Sequence, residues 1–177
     1  SKHSPSKLHH IIDYWLEQKP PNKDERIYRC THGIFDGTYL DKSTSIIALM
    51  NARDNTIVAS KYPVNENSRS QIKTFLLPLK EKGLSLQSVT VDGNPHVIRV
   101  FKELWPDIKI QRCLIHIQRQ GTDWCRYKPG IKLARELRDL FLKVTSIKTE
   151  SEMEMFFEGI LEWEENYGEK VKNYPSK

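Results

Sequence analysis

Three consecutive segments with strand composition, followed by an alternation of helices and strands, constrain the fold of this chain more than any other feature. The three segments are 27–35, 44–51 and 56–64. Asp54 and Asn55 separate the last two segments and are typical of a hairpin turn. Because the connections are short, we predict that these segments form an antiparallel meander.

After residue 64 the hydrophobic period changes. Apolar residues recur at helical spacing in 68–82 and 95–104, and each of these segments precedes a short apolar strand, at 88–91 and 108–110. A further helix follows the last strand. The succession predicts an α/β fold of the RNase H-like type, with a mixed five-stranded sheet flanked by helices. Three of its strands would be antiparallel and the next two parallel.

Two acidic residues stand where predicted strands end. Asp36 follows the first strand and Asp92 follows the fourth, and each is followed by a glycine. If these strands are neighbours, both carboxylates meet at one edge of the sheet, where ligand sites of α/β sheets gather. Carboxylate oxygens suit Mg²⁺ or Mn²⁺, so the pair indicates a two-metal site for phosphodiester chemistry. An isolated Asp-Gly pair is more often a simple turn, but the position of both at strand ends favours the metal site.

Cys113 and His116 form a Cys-x-x-His motif after the fifth strand. Such spacing can supply half of a zinc site, but the chain offers no convincing second half. Taken alone, the motif is better explained by a buried cysteine beside a hydrogen-bonded histidine.

Together, three motifs resemble those of the mutator-type (MULE-like) insertion-sequence transposases of bacteria. They are Asp-Gly-Thr-Tyr at 36–39, Val-Asp-Gly-Asn at 91–94 and Gln-Arg-Cys-x-x-His-x-x-Arg-Gln at 111–120. The resemblance covers 28–120 well and the helical remainder loosely. It implies an RNase H-like core with an Asp-Asp-Glu triad, in which a helical insertion precedes the Glu.

Carried onto this chain, the resemblance makes Asp36 and Asp92 the first two catalytic acids and the metal ligands. Cys113 and His116 occupy the Cys-x-x-His positions. His116 becomes a catalytic candidate that could orient the substrate or transfer a proton near the scissile phosphate. The alternative, left open, is that Cys113 and His116 only hold a helix against the sheet.

The third acid is not evident in the sequence. Asp123 and Glu136 lie as far past Asp92 in the sequence as the third acid of an uninterrupted core would. Neither is on a helix whose hydrophobic pattern shows that it packs at the edge of the sheet. The resemblance places the Glu after the helical insertion. We therefore expect it beyond residue 177, and we expect this chain alone not to cleave DNA.

Three regions are predicted. Residues 1–22 form an N-terminal helix and linker, 23–128 an incomplete RNase H-like catalytic core, and 129–177 the start of the helical insertion. The first residues show neither an initiator Met nor an apolar signal core, so we expect a segment of a longer protein.

The chain has a net charge of +5, and its basic residues are concentrated in the middle, where residues 109–138 hold eight Lys and Arg against two acidic residues. This favours a polyanionic partner, which the resemblance identifies as DNA, both transposon ends and target. Trp124 and Tyr127 could stack on a base, although Trp124 alone is better explained as a core residue. The predicted DNA-binding residues are Arg112, Arg119, Arg126, Lys128 and Lys132.

These features predict a DNA transposase that hydrolyses phosphodiesters and transfers strands at transposon ends with Mg²⁺ or Mn²⁺. A nuclease or recombinase of the same fold and a domesticated, non-catalytic DNA-binding protein are the alternatives. Three widely spaced cysteines fit a reducing compartment, and we expect a bacterial cytoplasmic protein associated with the nucleoid. A homodimer is left open, and no membrane partner is expected.

Overall fold

The computed structural model describes residues 5–17, 24–41, 44–126 and 128–172. The chain divides into two compact units, Ser1–Gln111 and Arg112–Lys177. The predicted linker at 19–22 and Tyr127 lie outside the described residues.

In its described residues the first unit contains one sheet and four helices. Two of the helices come before the strands in the sequence, and the other two lie between strands along the chain. The preceding helices are α1 (Pro5–Glu17) and α2 (Asp24–Arg29). The strands and the remaining helices are, in chain order, β1 (His32–Tyr39), β2 (Ser45–Asn51), β3 (Ile57–Val64), α3 (Arg69–Glu81), β4 (Ser88–Val91), α4 (Pro95–Leu104) and β5 (Lys109–Arg112).

The strands lie in the order β3-β2-β1-β4-β5. β1 and β2 are antiparallel, as are β2 and β3, whereas β1 and β4 are parallel. The predicted meander and the predicted mixed five-stranded α/β sheet are therefore confirmed. β1 is the central strand because the chain returns past it, through α3, to add β4 on its other side.

Strand alternation and helix capping explain why these segments adopt this arrangement. In β2 every second residue is buried, which is the pattern of a strand with one covered face. The rings of Phe75 on α3 and Phe101 on α4 pack against Phe35 of β1, with centroids 6.3 and 5.5 Å away. The side chain of Ser68 caps the start of α3, and Gly83 follows its end with φ +100°. The helices thus cover the face of the sheet on which Phe35 lies.

The limits predicted for the first strand are wrong at both ends. Ile27 lies in α2, where it is buried between exposed neighbours, so the segment lacks the alternation of a strand. At the other end β1 continues to Tyr39, because residues after Phe35 still pair with β2. Asp36 consequently lies inside β1, not after it.

The second unit contains only helices among its described residues after β5, as the periodicity predicts. These are α5 (Leu114–Cys125), α6 (Lys132–Lys143), a short 3-10 turn (Val144–Ser146) and α7 (Glu150–Lys172). Gly121 of α5 lies against the ring of Phe141 on α6. The indole N–H of Trp163 on α7 donates to the Leu133 carbonyl at 2.9 Å. No described helix has both the length and the apolar composition needed to cross a membrane.

Candidate active site

The two predicted acids lie on neighbouring strands. β1 pairs with β4 in parallel register, and the last aligned pair is Ile34 with Thr90. Two residues further along both chains, the same register sets Asp36 level with Asp92. Neighbouring strands are about 4.8 Å apart. By the alternation of side chains along their strands, both residues fall on the less buried face of the sheet. The predicted adjacency of the two strands is therefore confirmed, and their register continued to these residues brings the two acids to the same level.

A turn stabilised by Asn94 positions Asp92. The backbone N–H of Asn94 donates to Asp92 Oδ1 at 2.8 Å, and its side-chain oxygen caps α4 by accepting from the His96 N–H at 2.9 Å. Gly93 between them has φ +106°, a conformation that other residues adopt only at a cost. The Val-Asp-Gly-Asn motif is thus the turn that joins β4 to α4 and fixes one oxygen of Asp92.

A third acid, which the sequence reasoning missed, lies against β1 next to Gly37. Glu66 is in the loop between β3 and α3, and it is only 4% exposed. A Cβ atom on Gly37 would stand 2.2 Å from Glu66 Oε1 and 2.5 Å from Oε2. Position 37 must therefore be glycine for this carboxylate to reach β1. Asn94 connects Glu66 to the Asp92 turn, because its side-chain N–H donates to the Glu66 carbonyl at 3.3 Å.

Burial and the negative charges of other acids determine the direction of the pKa shift of Glu66. Burial raises the pKa of Glu66; the Ser45 hydroxyl opposes this, and the negative charges of Asp92 and Asp36 raise the pKa further. Burial, followed by the charges of Glu66 and Asp92, also raises the pKa of Tyr39. Glu66 Oε1 has no hydrogen-bond partner among the described residues.

The donor chemistry of this edge fits a hard divalent cation, which prefers carboxylate oxygens. Asp36 and Asp92 each have one oxygen engaged with a local backbone N–H, from Gly37 at 3.0 Å and from Asn94. No three His, Cys, Asp or Glu side chains in the described part of the chain are already arranged around a common ion position. A shared ion would thus require these carboxylates to change rotamer.

Cys113 and His116 lie in the second unit, at the start of α5. Cys113 is the N-cap residue, although its side chain makes no capping hydrogen bond, and it is partly exposed. His116 is in the first turn, and its Nδ1 is buried without a hydrogen-bond partner among the described residues. The expectation of a histidine satisfied by hydrogen bonding is therefore wrong for Nδ1.

Two comparisons with known proteins bear on this geometry. The model of the family described as "Transposase, Mutator family" matches residues 34–173, which is more than half of the chain. The chain belongs to the Mutator family of transposases. A segment of 75 residues is 35% identical to the transposase for insertion sequence element ISRM5 of Rhizobium meliloti (strain 1021). The match covers 42% of this chain and 19% of that relative, so it spans about a fifth of the relative's length.

In this Mutator-family chain the predicted DNA-binding residues all belong to the second unit. Their side chains are exposed, on α5, on α6 or in the segments beside them. Two of them make polar contacts within the unit: Arg112 donates to Gln120 at 3.4 Å, and Lys132 pairs with Glu136 at 3.4 Å. The residues concerned are Arg112, Arg119, Arg126, Lys128 and Lys132.

The expectation that Trp124 lies in the core is wrong. Its side chain is 70% exposed, and it contacts Phe141 edge to face with centroids 6.4 Å apart. Trp124 belongs to the last turn of α5, where the helix ends at Arg126 with φ +64°. An exposed aromatic ring thus stands in the basic part of this unit.

The two candidates for the third acid, Asp123 and Glu136, also lie in the helical unit. Asp123 is exposed near the end of α5 and accepts the N–H of Arg126 with its backbone carbonyl, at 3.1 Å. Glu136 is paired with Lys132 on α6. Glu136 therefore has a side-chain partner within its own helix, whereas the contact of Asp123 is made by its backbone alone.

Proposed function

We propose that this chain is part of the catalytic domain of a DNA transposase, with Asp36 and Asp92 as two metal-binding carboxylates on an RNase H-like sheet. The observation that supports the proposal is the parallel pairing of β1 with β4, whose register, continued two residues beyond Ile34 and Thr90, brings these two acids level. Membership of the Mutator transposase family supports DNA as the substrate. Residues 129–172 would then belong to the helical insertion of the domain.

Mg²⁺ or Mn²⁺ held by Asp36 and Asp92 would activate the attacking oxygen and neutralise charge on the phosphodiester during hydrolysis and strand transfer. The chain's own contribution is positioning. Asp36 is exposed, so a phosphate group can approach it from solvent. Asn94 holds one oxygen of Asp92, which limits the rotation of that carboxylate and leaves its second oxygen available.

The exposed cations of the second unit would bind the phosphate backbone of DNA. Arginine and lysine neutralise phosphates without reading sequence, and the release of counterions makes such binding sensitive to salt. Trp124 offers an exposed ring on which an unpaired base could stack. His116 remains our candidate for a substrate contact, because its buried Nδ1 lacks the hydrogen bond that a purely structural histidine would make.

A titration with MnCl₂ tests the metal site. We expect the unaltered chain to show saturable Mn²⁺ binding in calorimetry. Asp36→Asn and Asp92→Asn keep side-chain size and remove one negative charge each, so both should abolish that binding. Asp107→Asn, at an exposed acid after α4, is the matched control and should bind as the parent does. Equal binding by all four proteins would refute the assignment and would favour a non-catalytic DNA-binding protein.

Fluorescence anisotropy with labelled duplex DNA tests the basic surface. The double variant Arg119→Ala/Arg126→Ala should bind more weakly. Its salt dependence, the slope of log K against log salt, should fall by about 0.9 for each phosphate that the variant no longer neutralises. The control removes two exposed cations from α4 in the first unit, Arg99→Ala/Lys102→Ala. The interface is misassigned if the slope falls equally in both double variants.

A further inference from the structure

The second unit leaves most of its apolar side chains at least partly exposed. Among its described residues only Gly121, Cys125 and Val144 are buried, and neither α6 nor α7 contains a buried residue. Scattered exposed apolar residues are ordinary on a protein surface, whereas a contiguous apolar patch usually marks an interaction site. The arrangement of these residues therefore decides whether the unit has a docking surface.

Four exposed apolar side chains form one stripe along α7. At 3.6 residues per turn they fall within about 80° of one another around the helix axis. They are Met153, Phe157, Leu161 and Val171, with exposed fractions of 41, 55, 60 and 42%. A different side of α7 packs on α6, because Trp163, which donates to an α6 carbonyl, is turned by about 120° from Phe157.

A groove between α6 and α7 adjoins this stripe. It has a volume of about 360 Å³, its walls include Leu140 and Phe141 of α6 and Phe156 and Ile160 of α7, and Val171 of the stripe also lines it. The stripe and the groove thus form one apolar surface, in which projecting side chains lie next to a recess. Such a surface is complementary to another helix that carries apolar side chains at helical spacing.

The charges of α7 indicate what covers this surface. The helix contains eight Glu and two Lys, so it would repel the phosphates of DNA. Glu150 and Glu154 lie in its first two turns on the side of the stripe, and Lys172 lies at its last residue on that same side. Lys172 pairs with Glu169 at 2.7 Å, but both side chains are exposed, and such pairs contribute little. One end of the stripe is therefore acidic and the other is basic.

We propose that α7 forms a homodimer interface, in which the stripe and the groove of one chain cover those of a second copy and the two α7 helices are antiparallel. A second copy fits because reversing the helix matches its acidic end with its basic end. Leu161, the middle residue of this 23-residue helix, then lies next to the twofold axis. Lys172 of each copy approaches Glu150 of the other, whereas a parallel pair would set like charges together at both ends.

Sedimentation equilibrium over a hundredfold range of chain concentration measures the association. We expect a monomer–dimer equilibrium for the unaltered chain. Phe157→Ala/Leu161→Ala should raise the dimer Kd on the order of 100-fold, because each exposed side chain is lost from both copies. Met155→Ala is the matched control and should leave the Kd unchanged. Met155 is 67% exposed on the same helix, but it is two positions from Phe157 and faces another side.

Charge reversal determines the orientation of the two helices. In the antiparallel dimer Lys172→Glu sets two acidic residues together at each end and Glu150→Lys sets two basic residues together, so each variant should raise the Kd on the order of 10-fold. An equimolar mixture of these two variants recovers opposite charges at both ends and should associate as tightly as the unaltered chain. Effects on the helix itself persist in the mixture, so they cannot explain such a recovery. If the mixture associates as weakly as each variant alone, the antiparallel dimer is excluded.

Two other results would overturn the proposal. One is a chain that stays monomeric at every concentration, which would mean that something other than a second copy covers α7. The other is an equal loss of association in Met155→Ala and in Phe157→Ala/Leu161→Ala. Neither result bears on the binding of Mn²⁺ by Asp36 and Asp92, so a failure of this inference is distinguishable from a failure of the proposed function.

Discussion

Replacing Gly121 by alanine sets two effects of known size against each other. In a helix interior the change from glycine to alanine normally stabilises by about 1 kcal/mol, because alanine loses less backbone freedom on folding. Gly121, however, is buried, and a Cβ atom there would lie 2.2 Å from both Cγ and Cδ1 of Phe141. Carbon atoms in favourable contact are about 3.5–4.0 Å apart, so α5 and α6 would have to separate or the ring would have to leave.

The steric effect should prevail. Inserting a methyl group into a packed contact costs about 1–3 kcal/mol, and the atoms displaced belong to a ring that also contacts Trp124 of α5. After the gain in helix propensity, we expect Gly121→Ala to lower the free energy of unfolding by up to about 2 kcal/mol. Gly168→Ala on α7 is the control: the nearest atom is the flexible Glu164 Cγ at 3.3 Å, so this variant should gain about 0.5–1 kcal/mol.

Urea denaturation followed by circular dichroism at 222 nm measures both variants against the parent chain, and an unchanged m-value shows that the comparison is valid. Phe141→Leu in the Gly121→Ala background should restore part of the stability, because a smaller side chain faces the new methyl group. The coupling energy from this double-mutant cycle should exceed about 0.5 kcal/mol. Packing of Gly121 on Phe141 would be refuted if Gly121→Ala were as stable as Gly168→Ala, or if Phe141→Leu gave no relief.

Two other predictions concern the first unit. Phe101→Ala should lower the free energy of unfolding by about 3–5 kcal/mol, because its fully buried ring packs against two other aromatic rings; Arg99→Ala, exposed on the same helix, should stay within about 0.5 kcal/mol in the same urea experiment. Burial raises the pKa of Cys30 to about 11, from an ordinary value of 9.0, so the folded chain holds this proton more tightly than the unfolded chain does. Stability should therefore decline as pH rises from 9.0 towards 11, and Cys30→Ala should remove that part of the decline in denaturation curves recorded across this range; an identical pH dependence in the variant would contradict the burial of the thiol.

Local patterns were sufficient to predict most of the secondary structure. The limits of β4 and α4 agree with those predicted, and β2 and β3 begin only one residue later than expected. These elements are short and have a clear period, and turn or capping residues mark their ends, so each segment carries its own signal. The same reasoning failed at Ile27, because one buried apolar residue in a short helix resembles the start of a strand.

The acidic edge was only partly predictable. Asp36 and Asp92 could be placed together because each follows a run of strand residues and is followed by glycine. Glu66 could not, because Asn-Glu-Asn-Ser has the composition of a solvated loop and nothing local marks one of its residues as buried. The nearest signal is the glycine at position 37, whose missing side chain makes room for a residue 29 positions later. Trp124 shows the converse error, since a large aromatic residue with few local constraints was expected inside and lies outside.

The sequence by itself determined the order of the elements, the mixed sheet and the two aspartates on neighbouring strands, because hydrophobic period and turn chemistry act over a few residues. Only the tertiary structure decided which polar residues are removed from water. Burial depends on what distant segments cover, and Glu66 is enclosed by β1, by Ser45 of β2 and by the turn at Asn94. The burial of this carboxylate is therefore a property of the folded chain, and it arises from contacts that no single stretch of the sequence contains.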